Sequence, residues 1–454
     1  MVYSKSGQGK LISKTWFAVA VLLAAFTINV QAQQEVTPEK IQTDAVAHNE
    51  AVAPFKFKSN REKIEEAFDD YARAKNITYG VPDASGTVYF KKYTYVEANV
   101  DNPRFVQSRA LAFEKAYVDA LTEYVMDQFG RQMVETLREY ASDDSDYQMD
   151  KPLPKDAQER VWNKSKALAE AKLDNALRKE GLDPAQYAGK SDDEKRVLFR
   201  DSILRKSITR ASGSTAGIVP VQTFEARDQK GNYSVGVILR SGPSVREMAA
   251  AMRRKQLPAH TLMRSGGRAA RDLLPEGDAV MDNFGVRLFF NEKGLPSLLS
   301  FGQYGFTYTG MNERQIERNK NTATMQAQEL ADSAITMFVN SSIGAHNENT
   351  MGEAAEEIRA IATSGNFIDS DTTRFVNRVV RNSRAVGEDT LKGRGTVFSR
   401  VMKHPTSEHY VAVVVRVWDY ELAGVKVEPP KTEGAITPPK PKDDGIRIGN
   451  DYDF

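Results

Sequence analysis

The fold is decided by Tyr410-Val-Ala-Val-Val-Val-Arg-Val417 and by a related stretch, Tyr233-Ser-Val-Gly-Val-Ile-Leu-Arg240. β-Branched residues are frequent in both stretches, which is typical of β-strands. Residues 411–415 show no polar alternation, and this predicts a central strand that is covered on both faces. A fully buried Val side chain contributes about 1.5–3 kcal/mol, so this strand is expected to be a major source of stability in its half of the chain.

Each stretch is expected to be the second strand of a hairpin. In the first half, Gly217 to Ala226 and Asn232 to Leu239 flank Asp228-Gln-Lys-Gly231, which is a favourable turn sequence. In the second half, Gly395 to Met402 and His409 to Tyr420 follow the same order. The pattern therefore predicts one closing hairpin in each half.

A long amphipathic helix precedes each hairpin. Apolar residues recur at three- and four-residue steps from about Asp101 to Tyr140 and again from about Asn312 to Ser342. Further strands are predicted at Thr87 to Glu97, Gly285 to Phe290 and Pro296 to Tyr308. The sequence thus predicts an α+β fold in which each half packs a long helix on an antiparallel sheet.

Local signals predict where the shorter helices begin. Asn60 is expected to cap a first helix that carries Ile64 and Phe68 on one face. Ser244-Val-Arg-Glu247 has the spacing of a capping box and is expected to open a helix that ends near Lys255.

The shared order of elements favours an internal duplication. A shift of 214 positions places Ala116 on Leu330, and a shift of 177 positions places Tyr233 on Tyr410. The shifts differ by 37, which is consistent with a helical insertion at residues 141–215 of the first half. The alternative is a chance similarity, because unrelated amphipathic helices, and unrelated Val-rich strands, resemble one another. The common order of elements weighs more than any one residue match.

Composition excludes several classes of protein. The 454 residues are 41% apolar and 27% charged, with 62 Lys and Arg against 61 Asp and Glu and no Cys. These values exclude collagen-like, coiled-coil and disulfide-rich classes for most of the chain. A net charge of +1 argues against a nucleic-acid partner.

The N-terminus is typical of a secretory signal peptide. Lys5, Lys10 and Lys14 precede an apolar run of about a dozen residues, and Val30-Gln31-Ala32 supplies small residues for cleavage after Ala32. An uncleaved anchor is the alternative, but the run is shorter than the ~20 residues that a spanning helix needs. We expect a periplasmic protein of 59 basic and 61 acidic residues with no transmembrane helix, and a secreted or surface location is the minority alternative.

These features give a predicted domain organisation. Residues 1–32 are the signal peptide, 33–59 a mobile leader, 60–240 a first α+β domain, 241–284 a connecting segment, 285–424 a second α+β domain, and 425–454 a Pro-rich disordered tail.

One motif suggests a family. The Ala-rich helix Arg109-Ala-Leu-Ala-Phe-Glu-Lys-Ala-Tyr-Val-Asp-Ala120, followed by closing strands of the Tyr-x-Val-x-Val type, resembles a small α+β domain of bacterial envelope proteins. That domain is found in the N-terminal part of the flagellar assembly protein T family and in LPP-twenty lipoproteins. The resemblance covers about 250 residues in two copies, and it implies a non-enzymatic component of a ring or sheath-like envelope assembly. The lack of a lipid-attachment Cys, the insertion and the tail depart from the family.

Two surfaces are candidates for partner binding. The densest basic segment is expected to be solvated, and its functional interpretation is a surface for an anionic partner such as lipid headgroups, cell-wall acids or an acidic protein; its residues are Arg253, Arg254, Arg264, Arg268 and Arg271. The aromatic strand with Tyr89, Phe90, Tyr93 and Tyr95 is expected to pack at least one face in the core. Its other face or its edge would otherwise serve for interaction.

No catalytic residue, metal site or cofactor is predicted. Cys chemistry is impossible, and His404 and His409 lack the spacing of a helical zinc pair. The leading hypothesis is a periplasmic structural or interaction protein that binds envelope proteins and forms a homo-oligomer. A module that binds a ligand or the cell wall, and an exported hydrolase with an unrecognised site, are the alternatives.

Overall fold

The computed structural model of the chain describes residues 58–138, 170–199, 202–203, 215–306, 312–340, 392–407, 409–426 and 446–448. The predicted signal peptide, nearly all of the predicted leader and much of the predicted insertion lie outside these residues. None of the described helices is both long enough and apolar enough to cross a lipid bilayer.

The described part of the chain contains α-helices and antiparallel strands. The helices are α1 (Asn60–Lys75), α2 (Phe105–Arg138), α3 (Glu170–Lys179), α4 (Pro243–Arg254) and α5 (Glu313–Asn340). The strands are β1 (Val88–Tyr95), β2 (Val219–Arg227), β3 (Tyr233–Ser241), β4 (Gly285–Phe290), β5 (Pro296–Phe306), β6 (Arg394–Lys403), β7 (Tyr410–Trp418) and β8 (Ile446–Ile448). Short 3-10 helices occupy Pro184–Gln186, His260–Leu262, Ala270–Leu273 and Gly277–Asp282.

The strands form two four-stranded sheets, and every strand pair is antiparallel. The first sheet has the order β1-β3-β2-β8, and the second has the order β4-β5-β7-β6. The α+β fold class and both closing hairpins are therefore confirmed. The central strand β7 is buried on both faces, because Val411, Val413 and Val415 belong to one core cluster while Ala412 and Val414 belong to another.

Three strands and one helix follow the same path in both halves. The series β1-α2-β2-β3 gives the sheet order β1-β3-β2, and the series β5-α5-β6-β7 gives the order β5-β7-β6. Both hairpins also carry a register shift opposite equivalent positions of the closing strand, between Pro220 and Gln222 and between Thr396 and Phe398. The shared topology agrees with the sequence offsets that relate the two halves. A common origin of the halves stays a prediction.

The helices cover the sheets in an asymmetric way. α1 packs on one face of the first sheet, where Ile64 and Phe68 leave room only for a glycine at Gly236 of β3. α2 contacts β1 and β3 on the other face and also contacts β5 of the second sheet. Gln107 Nε2 donates a hydrogen bond of 3.0 Å to the carbonyl oxygen of Gly305 in β5. α2 therefore contacts both sheets, whereas α5 packs mainly on the second sheet.

Both halves contribute to one hydrophobic core. The largest cluster holds apolar residues of α2, β3, β5 and β7 together, among them Phe113, Tyr117, Val235, Val237, Phe301, Val411 and Val413. The described residues from Lys58 onward accordingly belong to one compact unit. The boundaries predicted at 240 and 285 do not separate two cores, because an amphipathic pattern shows that a helix has a buried face but not which sheet it covers.

Two details of the helix starts differ from the prediction. Ser59 caps α1, not Asn60: the Ser59 hydroxyl accepts from the Glu62 N–H while the Glu62 carboxylate accepts from the Ser59 N–H. α4 begins at Pro243 after Gly242, and no side chain caps it, so the predicted capping box is wrong there. Proline is favourable in the first turn because the N–H that it lacks has no partner in the helix.

The prediction of a disordered tail is wrong for Ile446–Ile448, which form β8. Ile446 lies opposite Ala226 and Ile448 lies opposite Phe224, so that β8 closes the edge of β2. Residues 425–454 are rich in Pro and in charged residues, but they include a short run with high strand propensity.

Candidate interaction surfaces

The five arginines proposed as an anionic-partner surface are all exposed, but they do not lie on one element. Arg253 and Arg254 end α4, and Arg264 and Arg268 lie in the loop that follows. Arg271 belongs to the 3-10 helix that contacts β6, at the opposite edge of the second sheet from β4.

Arg264 and Arg268 are held against the turn between β4 and β5. The Arg264 N–H donates to the Gly294 carbonyl oxygen at 2.9 Å, and the Arg268 N–H donates to the Phe290 carbonyl oxygen at 3.0 Å. The Arg264 guanidinium lies 4.3 Å from the centre of the Phe290 ring. These contacts hold the backbone of both arginines, and the guanidinium of Arg264, beside one hairpin turn. This pair is the part of the predicted basic surface that the fold brings together.

The turn between β4 and β5 also lies beside an acidic residue, which partly neutralises its positive charge. Lys293 forms an ion pair with Glu421 in the segment after β7. Burial raises the pKa of the nearby Tyr420 hydroxyl, and the positive charge of Arg254 opposes that shift. Mixed charge at this end of the sheet weakens the interpretation as a dedicated anion surface.

The second candidate surface is the outer edge of β1. The Gly80 N–H donates to the Tyr89 carbonyl oxygen at 2.8 Å, and the Asp83 N–H donates to the Thr87 carbonyl oxygen at 2.9 Å, so odd-numbered residues of β1 point their backbone outward. Beyond Tyr89, no described residue forms a backbone hydrogen bond with the outward groups of Lys91, Tyr93 and Tyr95. Such an edge is a template for another strand.

Aromatic side chains line this edge on one face of the sheet. The rings of Tyr93 and Tyr95 meet edge to face with centres 5.8 Å apart, and Tyr95 is 58% exposed. Burial raises the pKa of the Tyr93 hydroxyl, and Tyr95 adds to the shift. Phe90 is buried on the opposite face and touches the Tyr124 ring of α2. One face of the aromatic strand thus packs in the core, as predicted, and its outer end remains exposed.

Two lysines beside the edge are fixed by acidic partners. Lys91 Nζ lies 2.7 Å from a Glu65 carboxylate oxygen of α1 and 5.1 Å from the centre of the Phe68 ring. Lys92 points to the other face and lies 3.0 Å from a Glu123 carboxylate oxygen of α2. The backbone edge is therefore bordered by positioned charges on both faces.

A buried polar cluster joins the sheets behind these surfaces. Arg109 of α2 donates through Nε to Glu225 of β2 at 2.8 Å and through a terminal nitrogen to the side-chain oxygen of Gln303 in β5 at 2.8 Å. Arg109 also donates to the carbonyl oxygen of Met281, and its guanidinium lies 4.5 Å from the Phe284 ring centre. All three side chains are nearly inaccessible, so the cluster is a structural joint.

Sequence reasoning found Arg109 only as part of a motif and missed Glu225 and Gln303. The available signal was a charged residue inside an otherwise inward-facing strand, Val219-Pro-Val-Gln-Thr-Phe-Glu-Ala-Arg227, since buried carboxylates in proteins require a partner. That signal indicates a partner but does not identify it.

The His404 side chain stabilises the backbone of the β6–β7 turn. His404 is buried, and its Nδ1 accepts from the N–H groups of Thr406 and Ser407 at 3.3 and 3.4 Å. Its ring also packs edge to face on Phe105 of α2. Within the described ranges, no group of three or more His, Asp or Glu residues is placed to hold a metal ion.

The fold and its surfaces define an α+β protein with a paired-sheet core and one open aromatic strand edge. Residues 158–254 match the model of a domain of unknown function, DUF6844, and the matched range includes α3, β2, β3 and α4. The match continues beyond residue 240 into α4, across the predicted domain boundary.

Comparison with other proteins gives no activity. No protein with a curated description matches the chain. The crystal structure of a hypothetical protein from Francisella tularensis is similar, with 21% sequence identity, a TM-score of 0.49, and coverage of 81% of this chain and 93% of that one.

Proposed function

We propose that the chain is an exported periplasmic protein that acts without catalysis, as a structural or interaction component of a cell-envelope assembly. The observation that carries this proposal is the outer edge of β1, where the main-chain groups of Lys91, Tyr93 and Tyr95 bond to no other described backbone and the Tyr95 side chain is exposed. A strand edge of this kind binds through main-chain hydrogen bonds and gains specificity from the neighbouring side chains.

The export part of the proposal rests on the basic and apolar pattern of residues 1–32. The test is cell fractionation followed by N-terminal sequencing of the isolated protein. We expect a periplasmic fraction and a mature chain that begins at Gln33. Recovery of the intact Met1 terminus from the cytoplasm would contradict this part.

The interaction part is tested by site-specific photo-crosslinking in the native cell. A photoreactive residue at position 95 is expected to give a discrete adduct with a protein partner. Met325 on α5 is the matched control, because it is 64% exposed but lies on a helix and has no strand edge beside it. Adducts of equal yield at both positions would contradict a specific partner at the β1 edge.

A module that binds the cell wall is a second candidate, and the cations of Arg264 and Arg268 beside one turn favour it. Co-sedimentation with purified peptidoglycan tests it. Loss of sedimentation in the double variant Arg264→Ser/Arg268→Ser, with no loss in Arg271→Ser, would support the second candidate over the first.

A further inference from the structure

We propose that two copies of the chain pair through the outer edges of their β1 strands, so that residues 91–95 of each copy continue the first sheet across a two-fold axis at Tyr93. This inference rests on the proposed function and names the partner of the open edge as a second copy of the chain. Isologous pairing of this kind uses the same surface on both subunits.

The backbone of this segment has the geometry that antiparallel pairing requires. Lys91, Tyr93 and Tyr95 direct their N–H and C=O groups outward, and none of these groups bonds to another described residue. In a pair centred on Tyr93, each Tyr93 would exchange both main-chain hydrogen bonds with its symmetry mate, which is the hydrogen-bonded type of antiparallel pair. Lys91 of one copy would then face Tyr95 of the other.

The side chains are self-complementary in this register. Lys91, Tyr93 and Tyr95 share the α1 face of the sheet, and there the Lys91 side chain, whose ammonium is paired with Glu65, would lie opposite a tyrosine ring rather than a second lysine. On the α2 face Lys92 would meet Thr94, so no lysine lies directly opposite another lysine. A shift by one residue would remove this match and would break the alternation of faces.

At the other edge of the first sheet, the three-residue β8 pairs with only Phe224–Ala226 of β2, whereas β1 is an edge strand of eight residues. Among the described strands, β1 is therefore the longer edge at which this sheet can be extended. The exposed ring of Tyr95 also points to a site that a partner covers, because a large aromatic side chain at a strand edge is a typical anchor for association.

The first test uses the absence of native cysteine. In purified mature protein, Tyr93→Cys is expected to be crosslinked into a dimer by a short thiol-specific bifunctional reagent, because directly opposite Cβ atoms of a hydrogen-bonded pair lie ~5.5 Å apart, beyond the span of an unstrained disulfide. Tyr95→Cys is the matched control, since the two copies of residue 95 would be more than about 13 Å apart along the strands.

If exposure alone set the crosslinking rate, position 95 would react faster than position 93, because Tyr95 is more exposed than the half-buried Tyr93. Faster crosslinking at position 95 than at position 93 would overturn the proposed register. Circular dichroism and urea unfolding of both variants establish that each one is folded before it is compared.

The second test changes the charge opposite Lys91. Tyr95→Lys is expected to weaken the dimer by about 2- to 30-fold in dissociation constant, because two symmetry-related pairs change together, whereas Tyr95→Phe keeps the ring opposite Lys91 and is expected to leave the constant unchanged. Sedimentation equilibrium of the mature protein measures both constants. Equal constants for both variants would show that Tyr95 does not face Lys91.

The two proposals fail in different ways. If the purified protein is monomeric at every concentration while position 95 still crosslinks to another protein in cells, the self-pairing is wrong and the interaction function stands. If position 95 yields no specific adduct in cells and the purified protein is monomeric, both proposals are wrong.

Discussion

Arg109 of α2 forms side-chain hydrogen bonds with both sheets. Its guanidinium contacts Glu225 of the first sheet and Gln303 of the second, with all three side chains buried. A buried charge is tolerated when its partners satisfy it, and it becomes costly when one partner is removed. Replacement of one of these residues is therefore expected to lower the free energy of unfolding. Replacement of Arg109 and Glu225 together is expected to lower it less.

Arg109→Met is expected to lower the free energy of unfolding by about 3–5 kcal/mol, because Glu225 is left buried without its cation. The double variant Arg109→Met/Glu225→Met is expected to recover part of that loss. Urea unfolding of the wild type, both single variants and the double variant measures the coupling. A double variant that is less stable than either single variant would contradict this account.

Asp119 of α2 offers a test of pH dependence. Burial raises its pKa, although Lys115 and Lys92 oppose the shift. A carboxyl whose pKa is raised on folding contributes stability at low pH, and this is lost as the pH rises through its folded-state pKa. We therefore expect Asp119→Asn to be more stable than the wild type at pH 7. The difference should disappear on acidification below the ordinary aspartate range; an unchanged difference at low pH would refute the assignment.

At the scale of elements, α5 approaches β5 closely because Gly302 has no side chain. A Cβ atom at Gly302 would lie 1.8 Å from the carbonyl oxygen of Ala327. Ser300 of β5 also donates its hydroxyl to the Ala331 carbonyl oxygen at 2.7 Å. The helix backbone thus rests directly on the strand.

Gly302→Ala is expected to destabilise the fold by about 1–3 kcal/mol, because α5 must move away from β5. Gly266→Ala is the matched control, since a Cβ atom there would meet nothing within 4 Å. Thermal unfolding of the two variants provides the comparison. Equal stability of both variants would argue against the close packing of α5 on β5.

The sequence predicted the elements better than it predicted their partners. The alternating and apolar patterns near Val237 and Val413 located β3 and β7, because strand periodicity is a local property. The contact of Arg109 with Glu225 spans 116 positions, and no local pattern encodes it. The open edge of β1 was foreseen as a possibility from its tyrosines, but strand order was needed to place it at the border of the sheet.

At the scale of the whole molecule, β8 returns the end of the chain to the first sheet. It pairs with Phe224–Ala226 after the second sheet is complete. The strand therefore connects the C-terminal region to the half of the chain that is most distant in sequence, and it covers the strand that carries Glu225.

Deletion of residues 446–454 is expected to accelerate amide hydrogen exchange within Phe224–Ala226, because β2 then loses a ladder of main-chain hydrogen bonds. Deletion of residues 449–454 alone keeps β8 and is the control. Exchange measured by mass spectrometry should change little in β7. Identical protection of β2 in both truncated proteins would contradict a role for β8 at this edge.

The contacts of α2 with both sheets make the unfolding of the two halves interdependent. Its buried residues contribute to the same apolar cluster as Val235 of one half and Val413 of the other. Separation of the halves would expose the apolar surface of α2 that packs on the second sheet, and it would expose the surface around Val413 that α2 covers. Residues 60–240 and 285–424 expressed as separate fragments should therefore aggregate, while the intact chain should denature in a single cooperative step.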